Sequence, residues 1–270
     1  MENNKQRLDV LLVDKGLAPS REKAKALVMS GAVYIREEKA LKASQMVPEK
    51  DWEELQVRGK VHPFVSRGGL KLQKALEVFP IKAAGKTAID VGASTGGFTD
   101  CLLQKGARKV YAVDVGYGQL DWRLRQDERV VVMERCNARA MEKDWFQDAL
   151  ELAVMDVSFI SIKLILPALV KCLEPGAQLV TLIKPQFEAG RDKVGKKGVV
   201  RDAKVHLEVV EEAVAFAAAC GFSPLGLSFS PITGPEGNIE FLLYACAADI
   251  PPASLDCCGV VAQAHEAHRV

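Results

Sequence analysis

Thr87-Ala88-Ile89-Asp90-Val91, followed by Gly92-Ala93-Ser94-Thr95-Gly96-Gly97-Phe98-Thr99-Asp100, decides the fold. The first five residues form a short buried strand, and the glycine-rich turn leads into a helix that continues through Leu103. Glycines at such a turn let the backbone approach a ligand closely. A dinucleotide site would read Gly-x-Gly-x-x-Gly and set a pyrophosphate on the helix amino end. Here Asp90 precedes the first glycine and the spacing differs, so phosphate is not the favoured ligand. A strand, a glycine turn and a helix open a doubly wound α/β unit, in which ligands bind outside the carboxyl ends of the strands.

The ends of the other strands therefore carry the argument. Lys109-Val110-Tyr111-Ala112-Val113 ends in Asp114-Val115-Gly116, and a carboxylate there can accept both ribose hydroxyls of a nucleoside. That supports an adenosine-containing ligand without separating a dinucleotide from any other. A third strand, Val130 to Glu134, leads to Asn137, which either meets an adenine edge or serves as a turn residue. Four more charges fall where ligand would be presented. Lys71 lies in Val65-Ser66-Arg67-Gly68-Gly69-Leu70-Lys71-Leu72, and Asp156 follows Leu152-Ala153-Val154-Met155. Lys184 closes Leu179-Val180-Thr181-Leu182-Ile183, and Glu240 sits in Gly237-Asn238-Ile239-Glu240-Phe241-Leu242-Leu243-Tyr244. Each of these alone is more often a salt-bridged side chain than a catalyst; the combination is what points to catalysis.

With 270 residues and 49% of them apolar, the chain can bury one large core and still form a small extra domain. Its seven cysteines are irregularly spaced, with Cys257 and Cys258 adjacent, so reduced thiols and no metal are expected. Met1 to Arg7 has no apolar run and no later stretch has the length of a membrane span, which predicts a soluble cytoplasmic protein. The net charge of +1 is unevenly placed. Arg58, Lys60, Arg67, Lys71 and Lys74 follow one another with no acid between them, and Lys184 to Lys204 is also predominantly basic. From Val205 onward the only base is Arg269 among many carboxylates, a poor surface for phosphate.

The first sixty residues read as a separate module. Arg7-Leu8-Asp9-Val10-Leu11-Leu12-Val13 places apolar side chains on one helical face, Gly16 ends that helix, and Ser20 caps a second over Arg21 to Met29. Gly31-Ala32-Val33-Tyr34-Ile35 alternates as a strand, and Trp52 to Val57 returns beside it. Arg7-Leu8-Asp9, Ser20-Arg21 with Ala24, and Gly31-Ala32-Val33 with Lys42 resemble the S4 RNA-binding domain. The resemblance implies RNA contacts from Arg7, Arg21, Lys23, Lys25, Lys39 and Lys42, to which the basic run adds Arg67. This chain departs from the family in having Arg36-Glu37-Glu38 where Asn-Gly is common. The alternative is an α/β adaptor that binds protein.

The Asp-x-Gly turn is similar to that of class I methyltransferases, where it holds the methionine part of S-adenosylmethionine; a sulfonium cation suits an acidic lip. With the four charges, the second domain resembles the FtsJ-type ribose 2′-O-methyltransferases. Joined to the S4 module, the chain resembles the TlyA family from about Arg7 to Ala245. Its members act on ribosomal RNA and are often labelled haemolysins. That likeness implies a catalytic Lys71, Asp156, Lys184 and Glu240. It implies cofactor contacts from Asp90, Gly92, Ala93, Ser94, Thr95, Gly96, Gly97, Phe98, Asp114 and Asn137, with ribosomal RNA or subunits as partner and cytidine as the expected nucleoside. The expected architecture is α/β: an S4-like domain over 1–60, a Rossmann-like methyltransferase domain over 61–248, and a tail over 249–270 without a reading.

On this reading Lys184 either stabilises the developing alkoxide as an ammonium or, if neutral, accepts the hydroxyl proton. Asp156 and Glu240 would orient it, Lys71 would hold the ribose or its phosphate, and the loop from Pro185 to Arg201 would close on RNA. Two other classes of function remain in view. A binding protein or assembly factor would not need the intact glycine turn, and a lytic protein would need a better membrane helix than the short, alanine-rich Val209 to Ala219.

Overall fold

The computed structural model describes residues 5–29, 31–57 and 63–268. Arg58 and Lys60 of the first basic run, and Arg269, lie outside the described residues. The chain forms two compact units, Met1–Pro63 and Phe64–Val270.

In the first unit, β1 (Lys5–Arg7) leads into α1 (Leu8–Asp14), α2 (Arg21–Met29), β2 (Val33–Ile35), β3 (Glu38–Lys39), β4 (Met46–Pro48) and β5 (Leu55–Val57). Leu8, Leu11 and Leu12 recur at helical spacing and are buried with Ala24, Val28, Val33, Val47 and Leu55. Gly16, at φ 68°, follows α1 as expected, and the Ser20 hydroxyl accepts from the Lys23 amide at 3.3 Å. The returning strand is present: β5 pairs antiparallel with β2, Val33 opposite Val57. The turn without Asn-Gly also closes, since Ile35 pairs with Glu38 while Arg36 takes φ 57° and its guanidinium meets Asp51 at 2.5 Å. The pairing of β1 with β4 was not legible, because three residues, two of them charged, carry no alternating pattern.

The second unit runs α3 (Gly68–Val78), β6 (Thr87–Val91), α4 (Gly97–Gln104), β7 (Lys109–Val113), α5 (Trp122–Arg125), β8 (Val130–Met133), β9 (Leu150–Met155), α6 (Leu166–Cys172), β10 (Leu173–Ile183), α7 (Pro185–Glu188), α8 (Ala203–Ala219), β11 (Ser223–Phe229), β12 (Phe241–Cys246) and α9 (Cys257–Ala267). Seven strands form one sheet in the order β11-β12-β10-β9-β6-β7-β8. Neighbours from β10 to β8 are parallel, while β12 is antiparallel to both β10 and β11. The chain winds outward in both directions from β6 and β9, so the crevice at their carboxyl ends is the expected ligand site.

Side chains alternate between two cores, as the pleat requires. Ala88, Val110, Leu152, Val154, Val180, Leu182 and Leu242 pack with α3 and α4. Ile89, Val113, Ala153, Met155, Leu179, Ile183 and Leu243 pack with α6, α8 and α9. In the same alternation Asp90, Asp156, Lys184 and Glu240 are in step with the α3/α4 face. The tail is part of this unit: α9 buries Val261 and Ala264 in the second core, and His265 meets the buried His206 at 2.8 Å.

Candidate active site

One step past β9, Asp156 stands between two lysines. Its Oδ1 is 2.5 Å from Lys184 Nζ and its Oδ2 is 3.1 Å from Lys71 Nζ. Lys71, on the first turn of α3, also reaches Glu240 Oε2 at 2.6 Å. The four residues thus form one alternating chain, Lys184, Asp156, Lys71, Glu240. Glu240, 1% exposed, has Gln186 Nε2 3.4 Å from its Oε1. Lys184 donates to the Ser158 hydroxyl at 2.8 Å and lies 6.0 Å from the Phe187 ring centre.

Two expectations about this group change. The register that sets Ile183 opposite Phe241 brings Lys184 alongside Glu240, yet Glu240 spends its carboxylate on Lys71 rather than orienting Lys184. Lys71 is buried between two carboxylates instead of being turned outward to a phosphate. Burial opposes its charge, but Asp156 and Glu240 outweigh that, and its pKa is held above the ordinary lysine value. Burial likewise disfavours an ionised Asp156, and the two lysines overcome it, so its pKa is held below the usual carboxylate range.

Asp156 also lines a cleft of about 920 Å³ at the carboxyl ends of β6, β7 and β9, within the usual size range for a small-molecule site. Gly92, Ser94, Asp114 and Asn137 line it with Asp156. Gly92 has φ 84°, and a Cβ there would sit 2.9 Å from the Asp156 carbonyl oxygen, so only glycine fits this approach of β6 to β9. Asp114 accepts from the amides of Ser94 and Gly116, each at 2.7 Å, which fixes the turn. Asn137 takes the turn role, its Oδ1 accepting from the Arg139 amide at 3.1 Å, and the residue also lines the cleft.

The remaining residues expected at the cofactor do not line the cleft. Asp90 is fully buried behind it, accepting from Thr99 Oγ1 at 2.7 Å. Phe98 is in the α3/α4 core, Ala93 is buried, and the Thr95 side chain is exposed elsewhere. Gly96, at φ 96°, precedes α4, and Gly97 lets α4 pack against α3, where a Cβ would lie 2.8 Å from the Gly69 amide. The sequence did not single out Gln119, Phe159, Ser161 or Phe187, which line the cleft. The signal for Phe159 and Phe187 was their place just after Asp156 and Lys184.

The cleft fits a cationic ligand. Asp90 Oδ1 is buried with no hydrogen-bond partner among the described residues. Desolvation, with the nearby charges of Asp156 and Asp114, pushes the Asp90 carboxyl up to about 7 despite its bond from Thr99. A positive charge brought among these three carboxylates relieves their repulsion, as the sulfonium of S-adenosylmethionine would. No group of side chains that could hold a metal ion occurs among the described residues.

In the first unit, the buried Asp9 holds both Arg7, at 3.0 Å, and Arg21, at 3.0 Å. The two guanidiniums lower its pKa well below the carboxylate range, Arg7 most strongly. Both arginines remain accessible, Arg21 with 56% of its side chain exposed, and Lys23, Lys25, Lys39 and Lys42 are exposed. Arg67, also exposed, belongs to the second unit, just before α3.

Sheet order, glycine turn and acidic cleft together define a class I methyltransferase. Residues 64–246 match the FtsJ-like methyltransferase family and residues 6–52 match the S4 domain. The chain is 57% identical to YqxC of Bacillus subtilis, over 90% of this chain and 86% of that one. It is 44% identical, over 88% of both chains, to TlyA of Mycobacterium tuberculosis, named a 16S/23S rRNA (cytidine-2′-O)-methyltransferase. A solved structure from Streptococcus thermophilus, described as a hemolysin, is 49% identical, superposes with a TM-score of 0.79 and covers 99% of this chain and 98% of its own. The chain belongs to the TlyA family of FtsJ-like methyltransferases. It is an S-adenosylmethionine-dependent enzyme. Among the described residues no helix is long and apolar enough to cross a membrane.

Proposed function

We propose that the protein transfers a methyl group from S-adenosylmethionine to a ribose 2′-hydroxyl of ribosomal RNA, with cytidine as the nucleoside, as the name of its Mycobacterium tuberculosis relative states for that protein. The observation that carries this reading is the buried chain Lys184, Asp156, Lys71, Glu240, which meets the cleft at Asp156. Bound in the cleft, the cofactor supplies an electrophilic methyl group on a cationic sulfur. Gly92, Ser94, Asp114 and Asn137 are the residues at hand to hold it.

A ribose hydroxyl is a poor nucleophile because it holds its proton far above neutral pH, so the site must favour negative charge growing on that oxygen. Lys184 is suited to this. Its ammonium has three N–H donors, of which Asp156 and Ser158 take two. The third can meet the oxygen as the hydroxyl proton passes to solvent water; with the cofactor bound, the oxygen would take the methyl carbon as the carbon–sulfur bond breaks and its electron pair stays on sulfur. Asp156 fixes Lys184 in place, and Lys71 helps keep Asp156 ionised and holds both Asp156 and Glu240 in position; Lys71 is assigned to the scaffold of the site, not to phosphate. The S4-like unit presents Arg7, Arg21, Lys23, Lys25, Lys39 and Lys42 to RNA, and Arg67 adds a contact from the second unit.

The test is transfer of labelled methyl from S-adenosylmethionine to ribosomal subunits and to free ribosomal RNA, followed by nucleoside analysis. The expected product is 2′-O-methylcytidine, formed by the wild type and lost in Lys184→Ala while cofactor and RNA binding persist. Methyl found on a base, or equal turnover by the variant, would overturn the reading.

A further inference from the structure

Two loops carry Asp156 and Lys184 of the quartet with their neighbours: residues 156–162 after β9 and residues 184–188 after β10. They touch in three places. Lys184 is bonded to Asp156 and Ser158. The Phe159 and Phe187 rings lie 5.2 Å apart. At the far end Glu188, the last residue of α7, accepts from Ser161 Oγ at 2.6 Å through Oε2 and from the Ile162 amide at 2.8 Å through Oε1.

The third contact is polar, and the reaction as described leaves it unused. Between the end of β9 and Ile162 the backbone is under a conformational constraint: Phe159 is 92% exposed and held at φ 63°, a conformation aromatic residues rarely adopt. Burial of the Phe159 side chain does not fix that turn; beside the Ser158 and Phe187 contacts, the anchoring of its two ends does. One end is β9, paired within the sheet. The other is Ile162, whose side chain is buried in the core and whose amide, together with the Ser161 hydroxyl, is satisfied by the single carboxylate of Glu188. Ser161 in turn accepts from the Lys163 amide at 3.1 Å, so the latch continues into the turn over Ile162–Leu164.

We propose that Glu188 is a positioning residue for methyl transfer, fastening the 157–162 loop to α7 so that Ser158 holds the Lys184 ammonium toward the reacting oxygen. The inference rests on the reading of the quartet given above. Without the carboxylate, the Ile162 amide and Ser161 hydroxyl lose their acceptor and the loop relaxes from its left-handed turn. Ser158 then moves away from Lys184. Because Val157, Ser158 and Ser161 also line the cleft, cofactor affinity falls as well, but by less than the rate, which depends on alignment to within about 1 Å.

The experiment compares wild type, Glu188→Ala and Glu188→Gln in the full chain. It measures kcat, KM for ribosomal subunits, cofactor Kd, Tm and hydrogen exchange at the Ile162 amide. In Glu188→Ala, kcat should fall roughly ten- to hundredfold, with a smaller change in KM and cofactor Kd, and the Ile162 amide should exchange faster. In Glu188→Gln the side-chain oxygen can accept from Ile162 and the amide nitrogen can donate to Ser161, so kcat should return to within roughly threefold of wild type. An unchanged kcat in Glu188→Ala, or a Glu188→Gln variant as slow as the alanine one, overturns the proposal. So does a fall in kcat matched by a general loss of Tm with no local change at Ile162. Should the wild type methylate no ribose, the functional reading falls on that result, and exchange at Ile162 decides separately: faster in Glu188→Ala supports the latch, and equal rates refute it.

Discussion

Asp90→Asn should stabilise the second unit at pH 8 and lose that advantage as the pH falls. Asp90 is fully buried, its Oδ2 accepts from Thr99, its Oδ1 has no partner among the described residues, and its carboxyl titrates at about 7 against an ordinary value of 3.8. Between roughly pH 4 and 7 the folded protein holds a proton that the unfolded chain has released, so stability falls as pH rises through that window and levels off above it. About three pH units at 1.36 kcal/mol each give a penalty of about 4 kcal/mol at pH 8. Asparagine is close in shape to the protonated acid and does not titrate, but its amide nitrogen replaces the unpartnered oxygen and costs about 1–3 kcal/mol. The net gain expected at pH 8 is therefore about 1–3 kcal/mol, turning into a loss of similar size near pH 4. Urea unfolding of both proteins from pH 4.5 to 8.5, following the second unit by hydrogen exchange in β6 and β7, reads the difference directly. A stability difference that stays flat with pH would refute the reasoning.

The same carboxyl makes cofactor binding depend on pH. A cation in the cleft favours ionised Asp90, so affinity for S-adenosylmethionine should rise between pH 6 and 8 in the wild type and stay flat in Asp90→Asn, as measured by titration calorimetry. Lys71→Met leaves Glu240 buried without its cation and should destabilise the second unit by about 3–5 kcal/mol, read by denaturant unfolding at pH 7.5. Arg21→Ala should weaken binding to ribosomal RNA and reduce the slope of log affinity against log salt by about 1, measured by filter binding across salt concentrations, leaving cofactor affinity unchanged.

The fold was legible where a strand runs into a distinctive end. Thr87 to Asp100, and the charges after Met155 and Ile183, gave both the sheet and the crevice, because a short apolar run followed by a polar residue has few other uses. Strand alternation even sets the face: Asp90, Asp156, Lys184 and Glu240 share the parity of the α3/α4 core. What escaped was pairing in three dimensions. Lys71 approaches from a helix, so no strand pattern indicates that it would take Glu240 as its partner. Asp90 reads as a cleft residue because it sits one position before the strand ends, but the pleat turns it toward Thr99. Gly97 and Phe98 look like part of a ligand loop and serve the packing of α4. In the first unit the hydrophobic spacing gave both helices, whereas β1 and β4 are too short to leave a pattern.

The antiparallel course of β12 has a consequence for when the enzyme becomes competent during synthesis. Glu240 reaches the site from the start of a strand that is inserted between β10 and β11, two strands made before it. Lys71, Asp156 and Lys184 are all translated earlier, yet until this last strand is threaded into the sheet Lys71 lacks one of its two counter-ions, Asp156 being the other. The small unit ahead of Phe64 is finished long before. A growing chain would thus complete its S4 unit first and the buried quartet of its methyltransferase unit only with its final strand.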